Sequence, residues 1–589
     1  MNHLAADLKW LMTRGEAALD KHLRLPFREL PTETPNVYSR VRVTKNVPVL
    51  MRDNVRLYAD VYQPERTNWG RLPTVLIRMP YGKSEAYCSM AAHGKYWARK
   101  GYVCVVQDVR GKFRSKGEFE PFVDEARDGY DTVDWVSRQP WCNGSVGMAG
   151  ESYYATTAWA AASSHHPSLK CIAPGNQGLD EYDNVYEGGA FCLSSEGLWL
   201  ADSVGRRFLN THRIDTRHLP LVSLAEVAGL PTELYAGAIR NPARTSFWEA
   251  LDLSASCTTL DTPVLHWGGW YDVLLRGVLH NWRDVHDRCV NADARANQWL
   301  AIGPIDHEST PERTGRVGRL TVERHGYTYD RVQEFFDYWL RGSENGFGNS
   351  KRVRLFVVGA NRWREGDEFP LRGTRFVKYF LHSRGNATTL RGDGALSPEP
   401  PDEESEDGFV YDPARPVDYW VGKSTWEIAA CMEDRRPTED RPDVLVYTSQ
   451  PLTTDLEVVG PLAVTLYASS SAADTDFTAA LVDVWPDGYS QLVQEGIRRA
   501  RYRRSNTAPS LIEPGTINEL LIDLSAIGYL FSAGHRLRVE ISSSNFDRYD
   551  SNPNTGHAFG LDVELKPARQ CVYHDSQRPS HITLPLAPS

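Results

Sequence analysis

Apolar and polar positions follow two different rhythms along the first third of the chain. Residues 72–77 and 102–107 are continuous apolar runs of the kind found in buried strands, whereas 91–100 and 126–137 space their apolar residues as helices do. Gly101 directly follows the first helical stretch, as a helix C-cap does. Strands that alternate with helices predict a parallel sheet with crossover helices.

The spacing of apolar residues changes twice further along the chain. Between 179 and 256 the strand pattern stops and aromatic residues recur at helical spacing, which predicts a helical insertion over one end of the sheet. Strand character returns at 263–267 and 298–302, and beyond 350 short β runs are separated by Gly, Pro, Asp and Ser turns. The predicted parts are an N-terminal helical extension (1–35), an α/β-hydrolase domain in two pieces (36–178 and 257–350), a helical cap (179–256) and a jelly-roll β-sandwich (351–589).

A serine stands where a buried strand passes into the helix predicted over 153–163. Ser152 follows Gly150 and Glu151, and such a strand-to-helix turn is typical of a nucleophile elbow, which exposes the hydroxyl next to the helix N-terminus. The match to G-x-S-x-G is incomplete because Tyr154 occupies the last glycine position, so we expect wider helix packing. The alternative interpretation is a serine N-cap on an ordinary buried helix.

A nucleophilic serine needs a base and a carboxylate that orients the base. Asp272 follows the predicted strand 263–267 and His307 follows the strand 298–302, in the order Ser, Asp, His found in α/β-hydrolases. Each residue has an alternative interpretation, in which Asp272 is a helix N-cap and His307 is an ordinary loop histidine, one of 17 in the chain. Asp306 is an alternative candidate for the acid. Three residue types in this order, all at strand ends, favour a catalytic triad.

Composition excludes several classes of function. The chain has 589 residues, 41% of them hydrophobic, and a formal net charge of −10, so nucleic-acid binding is not expected. No apolar stretch approaches the ~20 residues that span a bilayer, and no secretory signal precedes the first domain. Nine dispersed cysteines without a C-x-x-C pair predict reduced thiols, a cytoplasmic location and no structural zinc.

Several ordered motifs outside the triad match one known family. They are the stretches 51–57, 78–81, 107–111, 115–119, 141–144, 150–153, 269–272 and 303–304, with His307. Through these motifs the chain resembles, from about residue 40 to near its end, the cocaine esterase and X-Pro dipeptidyl-peptidase family of serine hydrolases. The family tolerates a residue other than glycine two positions after the serine. The stretch 108–111 is interpreted as structural, a strand end braced by an Arg–carboxylate contact.

The resemblance implies a role for each site residue. Ser152 is the expected nucleophile, His307 the base and Asp272 its orienter, while the hydroxyl of Tyr81 and the backbone N–H of Tyr153 form the expected oxyanion hole. No metal or organic cofactor is expected. The resemblance also permits a homodimer.

The residues after the triad aspartate bear on the substrate. In the α-amino-acid ester branch of the family, acidic residues follow that aspartate, but here Val273, Leu274 and Leu275 do, which disfavours that branch. We expect an apolar acyl pocket with Trp270 and Leu274 as neighbours. Glu151 is expected to pair with an arginine or else to contact substrate.

Four aromatic residues of the cap are either core side chains or pocket wall. They are Tyr182, Tyr186, Phe191 and Trp199. The preferred function is a carboxylesterase or amidase for a small to medium, mainly apolar acyl compound. The alternatives are an X-Pro-type or other aminopeptidase, an acyltransferase using the same serine, and a non-catalytic binding protein.

Overall fold

The computed structural model describes residues 29–65, 70–85, 88–203, 205–207, 214–230, 233–323, 326, 328–418, 426, 428 and 434–588. Most of the N-terminal helical extension predicted over 1–35 lies outside the described residues. Within these ranges, no helix is long and apolar enough to cross a membrane.

A ten-stranded sheet forms the centre of the first domain. Its strands and two short hairpins are β1 (Val41–Leu50), β2 (Arg56–Pro64), β3 (Leu72–Met79), β4 (Val103–Asp108), β5 (Cys142–Glu151), β6 (Leu169–Gly175), β7 (Tyr186–Glu187), β8 (Ala190–Phe191), β9 (Val264–Gly269), β10 (Gln298–Gly303), β11 (Arg316–Val317), β12 (Leu320–Thr321), β13 (Val353–Val357) and β14 (Arg362–Gly366). The order across the sheet is β1-β2-β4-β3-β5-β6-β9-β10-β13-β14, and neighbours from β4 to β13 run parallel. The predicted parallel sheet is therefore confirmed.

Helices connect these strands and cover the sheet. They are α1 (Met90–Arg99), α2 (Glu125–Ser137), α3 (Tyr153–Ser163), α4 (Glu181–Val185), α5 (Leu198–Asp202), α6 (Leu224–Val227), α7 (Glu233–Arg240), α8 (Ser246–Glu249), α9 (Ser256–Thr259), α10 (Leu275–Arg288), α11 (Ala292–Ala296), α12 (Thr310–Thr314) and α13 (Thr328–Arg341). Since β3, β5, β9 and β10 are parallel, the loops that follow them meet at one edge of the sheet.

The predicted brace at 108–111 is present. The Arg110 guanidinium donates to both carboxylate oxygens of Asp128 in α2, at 2.9 and 2.6 Å, and both side chains are buried. Such a bidentate pair fixes the end of β4 against the helix. Asp108 itself accepts from the backbone and the ammonium of Lys83, which ties down the loop after β3.

The helical cap spans α4 to α8 and also contains the β7–β8 hairpin and a π-helix over Leu193–Gly197. It packs tightly on the C-terminal domain at Gly188, whose φ is +57° and where a Cβ would lie 1.9 Å from the carbonyl oxygen of Ile497. Only glycine permits this approach.

The C-terminal domain is a jelly-roll β-sandwich of mostly antiparallel strands. Its elements are β15 (Arg375–His382), β16 (Ala395–Ser397), β17 (Asp407–Tyr411), α14 (Arg436–Glu439), β18 (Leu445–Ser449), β19 (Leu456–Ser470), β20 (Asp476–Val484), β21 (Ser490–Arg499), β22 (Asn518–Phe531), β23 (Arg536–Ser542), β24 (Ala568–Tyr573) and β25 (His581–Leu586). The hairpin of β13 and β14 lies beyond the boundary predicted at 350/351 and pairs with β10 as part of the first sheet. A short apolar run after a turn has the same pattern in either sheet, so only the pairing of β13 with β10 distinguishes them.

Candidate active site

Ser152 lies in a strained turn between β5 and α3. Its φ and ψ are 54° and −137°, a region that costs a non-glycine residue on the order of 1–3 kcal/mol. Its N–H donates to the carbonyl of Gly175 at the end of β6, 3.1 Å away, and its carbonyl accepts from Ala155 in the first turn of the helix. These contacts hold a half-buried hydroxyl at the carboxyl edge of the sheet.

The turn depends on Gly150, two residues before the serine. A Cβ there would lie 2.5 Å from the backbone oxygen of Tyr154, so a larger residue would push the helix away from the strand. Tyr154, which replaces the usual second glycine, is buried and donates its hydroxyl hydrogen bond to Glu151. Among the described residues Glu151 is bonded to Tyr154 and pairs with no arginine, so the two roles predicted for it, an arginine partner or a substrate contact, stay predictions.

Asp272 and His307 come together just past the ends of β9 and β10. The Nδ1 atom of His307 lies 2.8 Å from an oxygen of Asp272, whose side chain is fully buried. The second oxygen of Asp272 accepts from the backbone N–H of Leu274 at 2.7 Å, which fixes the carboxylate. Two loops that are distant in sequence thus produce the base–carboxylate pair of a triad.

No hydrogen bond joins the Ser152 hydroxyl to His307 within the part of the chain that the structure describes. Nucleophile–base contacts are commonly long in the absence of substrate and tighten in the complex. The backbone turn holds Ser152 in place, and Asp272 holds the His307 ring. A closer contact between the two residues therefore requires rotation of the Ser152 side chain.

Negative charge surrounds the His307 imidazole. Burial opposes its protonation, but the charge and hydrogen bond of Asp272, together with Glu308 and Glu151, raise the pKa of His307 to about 9. Burial in turn raises the pKa of Glu151 to about 7. The site therefore favours the imidazolium that forms when a histidine takes a proton from serine.

Tyr81 follows β3 and is buried at the same edge of the sheet. Its hydroxyl oxygen accepts a 2.9 Å hydrogen bond from the indole Nε1 of Trp199 in the cap. Tyr153 begins α3, so its backbone N–H has no acceptor within the helix. Its hydroxyl points away from the turn and donates to Glu125 at 3.1 Å.

The structure places Trp270 away from the acyl pocket predicted for it. Its indole donates to the backbone oxygen of Phe356 in β13 at 2.7 Å, and its own carbonyl accepts from Gln494 in β21. The ring packs in the core shared with the β-sandwich, where it joins the two domains. Leu274 is buried and its backbone N–H donates to Asp272, and its predicted contact with the acyl group stays a prediction.

Of the two roles left open for the four cap aromatics, three residues take that of core side chains. The rings of Tyr182 and Tyr186 stack 5.4 Å apart, and their hydroxyls donate to cap carbonyls. Phe191 packs against Tyr186 and Tyr235. Helical spacing identifies these residues as buried but cannot tell which cavity a buried ring faces. Trp199, by contrast, reaches the site.

Two residues near the base escaped the sequence analysis. Glu196, in the π-helix of the cap, is 7% exposed, and its charge interacts with His307 and Asp272. The ring of Trp426, which belongs to the C-terminal half of the chain, lies 4.6 Å from the His307 ring. An acid two residues before the apolar stretch 198–201 is a detectable signal for the first residue, but no local pattern indicates the second.

Comparisons with known proteins agree with this architecture. Residues 53–309 match the family model of the X-Pro dipeptidyl-peptidase (S15 family), and residues 345–583 match that of the X-Pro dipeptidyl-peptidase C-terminal non-catalytic domain. The first match contains Ser152, Asp272 and His307. The second covers the β-sandwich.

Individual relatives extend the match to nearly the whole chain. Cocaine esterase of a Rhodococcus species is 37% identical over 580 residues, covering 92% of this chain and 98% of that protein. A solved α-amino acid ester hydrolase is 25% identical with a TM-score of 0.79, over 96% of this chain and 100% of that one. An aminopeptidase from a marine sediment archaeon (Thaumarchaeota) shares the fold, with 24% identity and a TM-score of 0.81 over 95% and 99% of the two chains. The chain therefore belongs to the cocaine esterase and X-Pro dipeptidyl-peptidase family of serine hydrolases.

Proposed function

We propose that the protein hydrolyses an ester or amide of a small to medium, mainly apolar acyl compound through an acyl-enzyme on Ser152. One observation carries the proposal: the 2.8 Å contact of His307 with a fully buried Asp272 at the sheet edge where Ser152 forms a strained elbow. Ester hydrolysis is also the activity named in the cocaine esterase relative.

The proposed mechanism follows from the positions of these groups. His307 takes the hydroxyl proton as Ser152 attacks the carbonyl carbon, and Asp272 stabilises the imidazolium through Nδ1. The Tyr81 hydroxyl and the Tyr153 N–H donate to the oxyanion. His307 then gives its proton to the departing alcohol or amine, and a water deprotonated by the same histidine releases the acid.

An active-site titration tests this proposal. Mixing the enzyme with an excess of an activated phenyl ester should release a burst of one phenol per active serine, because an activated ester acylates the serine faster than the acyl-enzyme is hydrolysed. Ser152→Ala should abolish both the burst and the turnover. Turnover by the alanine variant at the wild-type rate would refute the role of Ser152.

A second candidate, hydrolysis of an acyl compound that carries a protonated amine, is favoured by Glu196. No described group donates a hydrogen bond to its carboxylate, although the residue is 93% buried. A buried charge without a partner is costly, so a substrate cation would stabilise it. Burial first of all raises the pKa of Glu196 to about 7; His307 lowers it and Asp272 raises it. Glu181, itself buried, also faces Glu196.

Isosteric substrates separate the two candidates. The phenyl esters of 4-(trimethylammonio)butanoic acid and 5,5-dimethylhexanoic acid have the same shape and differ by one charge. If Glu196 binds a cation, the charged ester should be preferred about ten- to hundredfold, increasingly as pH rises through 7 and Glu196 ionises. Glu196→Gln should abolish that preference. Equal or better turnover of the neutral ester by both proteins supports the apolar acyl group.

The proposal also includes a cytoplasmic location, a small-molecule substrate without a nucleic-acid partner, and a homodimer. The location is supported by the eight cysteines within the described ranges, all of which are free thiols. The homodimer rests on the family resemblance alone. Sedimentation equilibrium of the full chain measures it directly.

A further inference from the structure

The cap contacts the proposed oxyanion hole through one side chain. Trp199 lies in α5, directly after the π-helix, and its Nε1 donates to the Tyr81 hydroxyl oxygen at 2.9 Å. Both residues are at least nine-tenths buried, so water competes little for this bond.

The chemistry of the two groups determines the direction of the bond. An indole N–H is a donor only, whereas a phenol hydroxyl both donates and accepts. The Tyr81 oxygen therefore accepts from Trp199, and the phenolic proton must lie in a direction other than that of the indole. A hydroxyl that accepts one hydrogen bond also becomes a stronger donor in the next.

We propose that Trp199 is a positioning residue, whose N–H orients the Tyr81 hydroxyl so that its proton is donated to the oxyanion. The inference rests on the proposed function, in which Tyr81 stabilises the tetrahedral intermediate. It assigns to the cap a part in transition-state stabilisation, in addition to covering the site.

The neighbours of Trp199 hold its ring in place. The indole stacks on the Tyr153 ring, with centroids 5.7 Å apart and planes at 28°, and the Phe122 ring lies 5.9 Å away. The Tyr153 hydroxyl accepts from the Phe122 N–H and donates to Glu125, which pairs with the fully buried Arg78 at 2.9 Å. The backbone N–H of Tyr153 is the other proposed oxyanion donor, so Trp199 contacts the side chains of both residues that supply the proposed hole.

A double-mutant cycle tests the coupling. Trp199→Phe keeps an aromatic ring for the stack and removes the N–H, and it should lower kcat/KM for a phenyl ester by about three- to tenfold, mainly through kcat. In a Tyr81→Phe background the same change should cost less than about twofold, because no hydroxyl is left to orient. An alkyl trifluoromethyl ketone forms a tetrahedral adduct. Its inhibition constant for Trp199→Phe should rise by about the same factor by which kcat/KM falls.

Trp248→Phe is the matched control. Trp248 is a buried cap tryptophan whose Nε1 donates to the carbonyl of Asn241 at 2.7 Å, so its replacement removes an indole hydrogen bond without touching Tyr81. It should leave the inhibitor affinity unchanged. If Trp199→Phe does not fold, Trp199 is replaced by 3-benzothienylalanine, which keeps the bicyclic shape and has sulfur in place of N–H.

The outcomes separate this inference from the proposed function. Equal losses from Trp199→Phe in both backgrounds would overturn the inference while Ser152→Ala still abolishes turnover. A Tyr81→Phe variant with wild-type kcat would also overturn the proposed role of Trp199, because the Tyr81 hydroxyl would then not stabilise the oxyanion. Turnover by Ser152→Ala would refute the proposed function itself.

Discussion

The chain holds two clusters of serine, histidine and carboxylate side chains, one in each large domain. They are Ser152, His307 and Asp272, here named the catalytic cluster, and Ser383, His574, Asp407 and Glu404, here named the sandwich cluster. In the sandwich cluster both ring nitrogens of His574 contact carboxylates, Nε2 at 2.9 Å from Asp407 and Nδ1 at 3.0 Å from Glu404. The Ser383 hydroxyl donates to Asp407 at 2.7 Å.

The clusters differ in which atoms are already engaged. His574 has a fully buried side chain with both ring nitrogens on carboxylates, and its Nε2, which also lies 3.2 Å from the Ser383 hydroxyl, is shared with Asp407; His307 commits only Nδ1 among its described contacts. Ser152 is half-buried on a strained turn, whereas Ser383 is buried and bonded. The same residue types thus form the proposed nucleophilic site where one ring nitrogen and the hydroxyl remain available, and a bonded network where they do not.

The largest expected difference comes from removing each serine hydroxyl. Ser152→Ala should lower kcat by about 10⁴-fold or more, because the acyl-enzyme cannot form. Ser383→Ala should leave kcat unchanged and lower the free energy of unfolding by about 1–3 kcal/mol, the cost of a lost buried hydrogen bond. Steady-state kinetics and urea unfolding on both variants measure this, and a large kcat loss in Ser383→Ala would contradict the comparison.

Beside the catalytic cluster lies the hydroxyl of Tyr81, which is proposed to donate a hydrogen bond to the oxyanion. Tyr81→Phe should reduce kcat by about 10²–10³-fold with little change in KM, because the hydroxyl acts on charge that develops only in the transition state. Tyr447→Phe is the control, since that hydroxyl donates to Asp407 at 2.8 Å within the sandwich. Single-turnover kinetics with both variants should show a slow acylation step only for the first.

Removing His574 should destabilise the protein without affecting catalysis. His574→Leu leaves the buried Asp407 carboxylate without its cationic partner and removes one of the two histidine contacts of Glu404, which costs about 3–5 kcal/mol of unfolding free energy. Asp407 has a lowered pKa and His574 a raised one, so the pair stabilises the fold at neutral pH. That contribution is lost as pH falls through the pKa of Asp407 and as pH rises through that of His574. Urea midpoints across pH should show this dependence in the wild type and not in the variant.

The smallest expected effect is a shift of the pH profile. A base must be neutral to accept a proton, so kcat/KM should rise with pH through the pKa of His307. The midpoint of this acid limb should lie near 9, above the 6.5 of an ordinary histidine. Glu151→Gln removes a neighbouring negative charge and keeps an acceptor for Tyr154, so the limb should move to lower pH. An acid limb below 6.5 in the wild type would show that Asp272, Glu308 and Glu151 do not raise the pKa of His307.

Much of the catalytic domain could be predicted from local pattern. The helix expected over 153–163 is observed as Tyr153–Ser163, and the strands expected at 263–267 and 298–302 are observed as β9 and β10. The strands are recognisable as continuous apolar runs because both faces of the sheet are covered. The family membership and the fold class are confirmed on the same motifs.

Other features depend on contacts between distant parts of the chain. Trp270 directly precedes Tyr271 and Asp272, yet its indole turns to a carbonyl of β13, and β13 itself pairs with β10 rather than with the sandwich. The neighbouring residues in the sequence predict neither the hydrogen bond of Trp270 nor the pairing of β13. Glu196 and Trp426 reach His307 from a cap and from a second domain that the sequence places far away.

The sequence by itself determined that a serine, an aspartate and a histidine stand after strands of one parallel sheet, because hydrophobic periodicity and chain order are local properties. The tertiary structure alone decided which ring nitrogens, hydroxyls and carboxylates of the chain are already bonded. That depends on packing between domains, and it is what distinguishes Ser152, the proposed nucleophile, from the bonded Ser383.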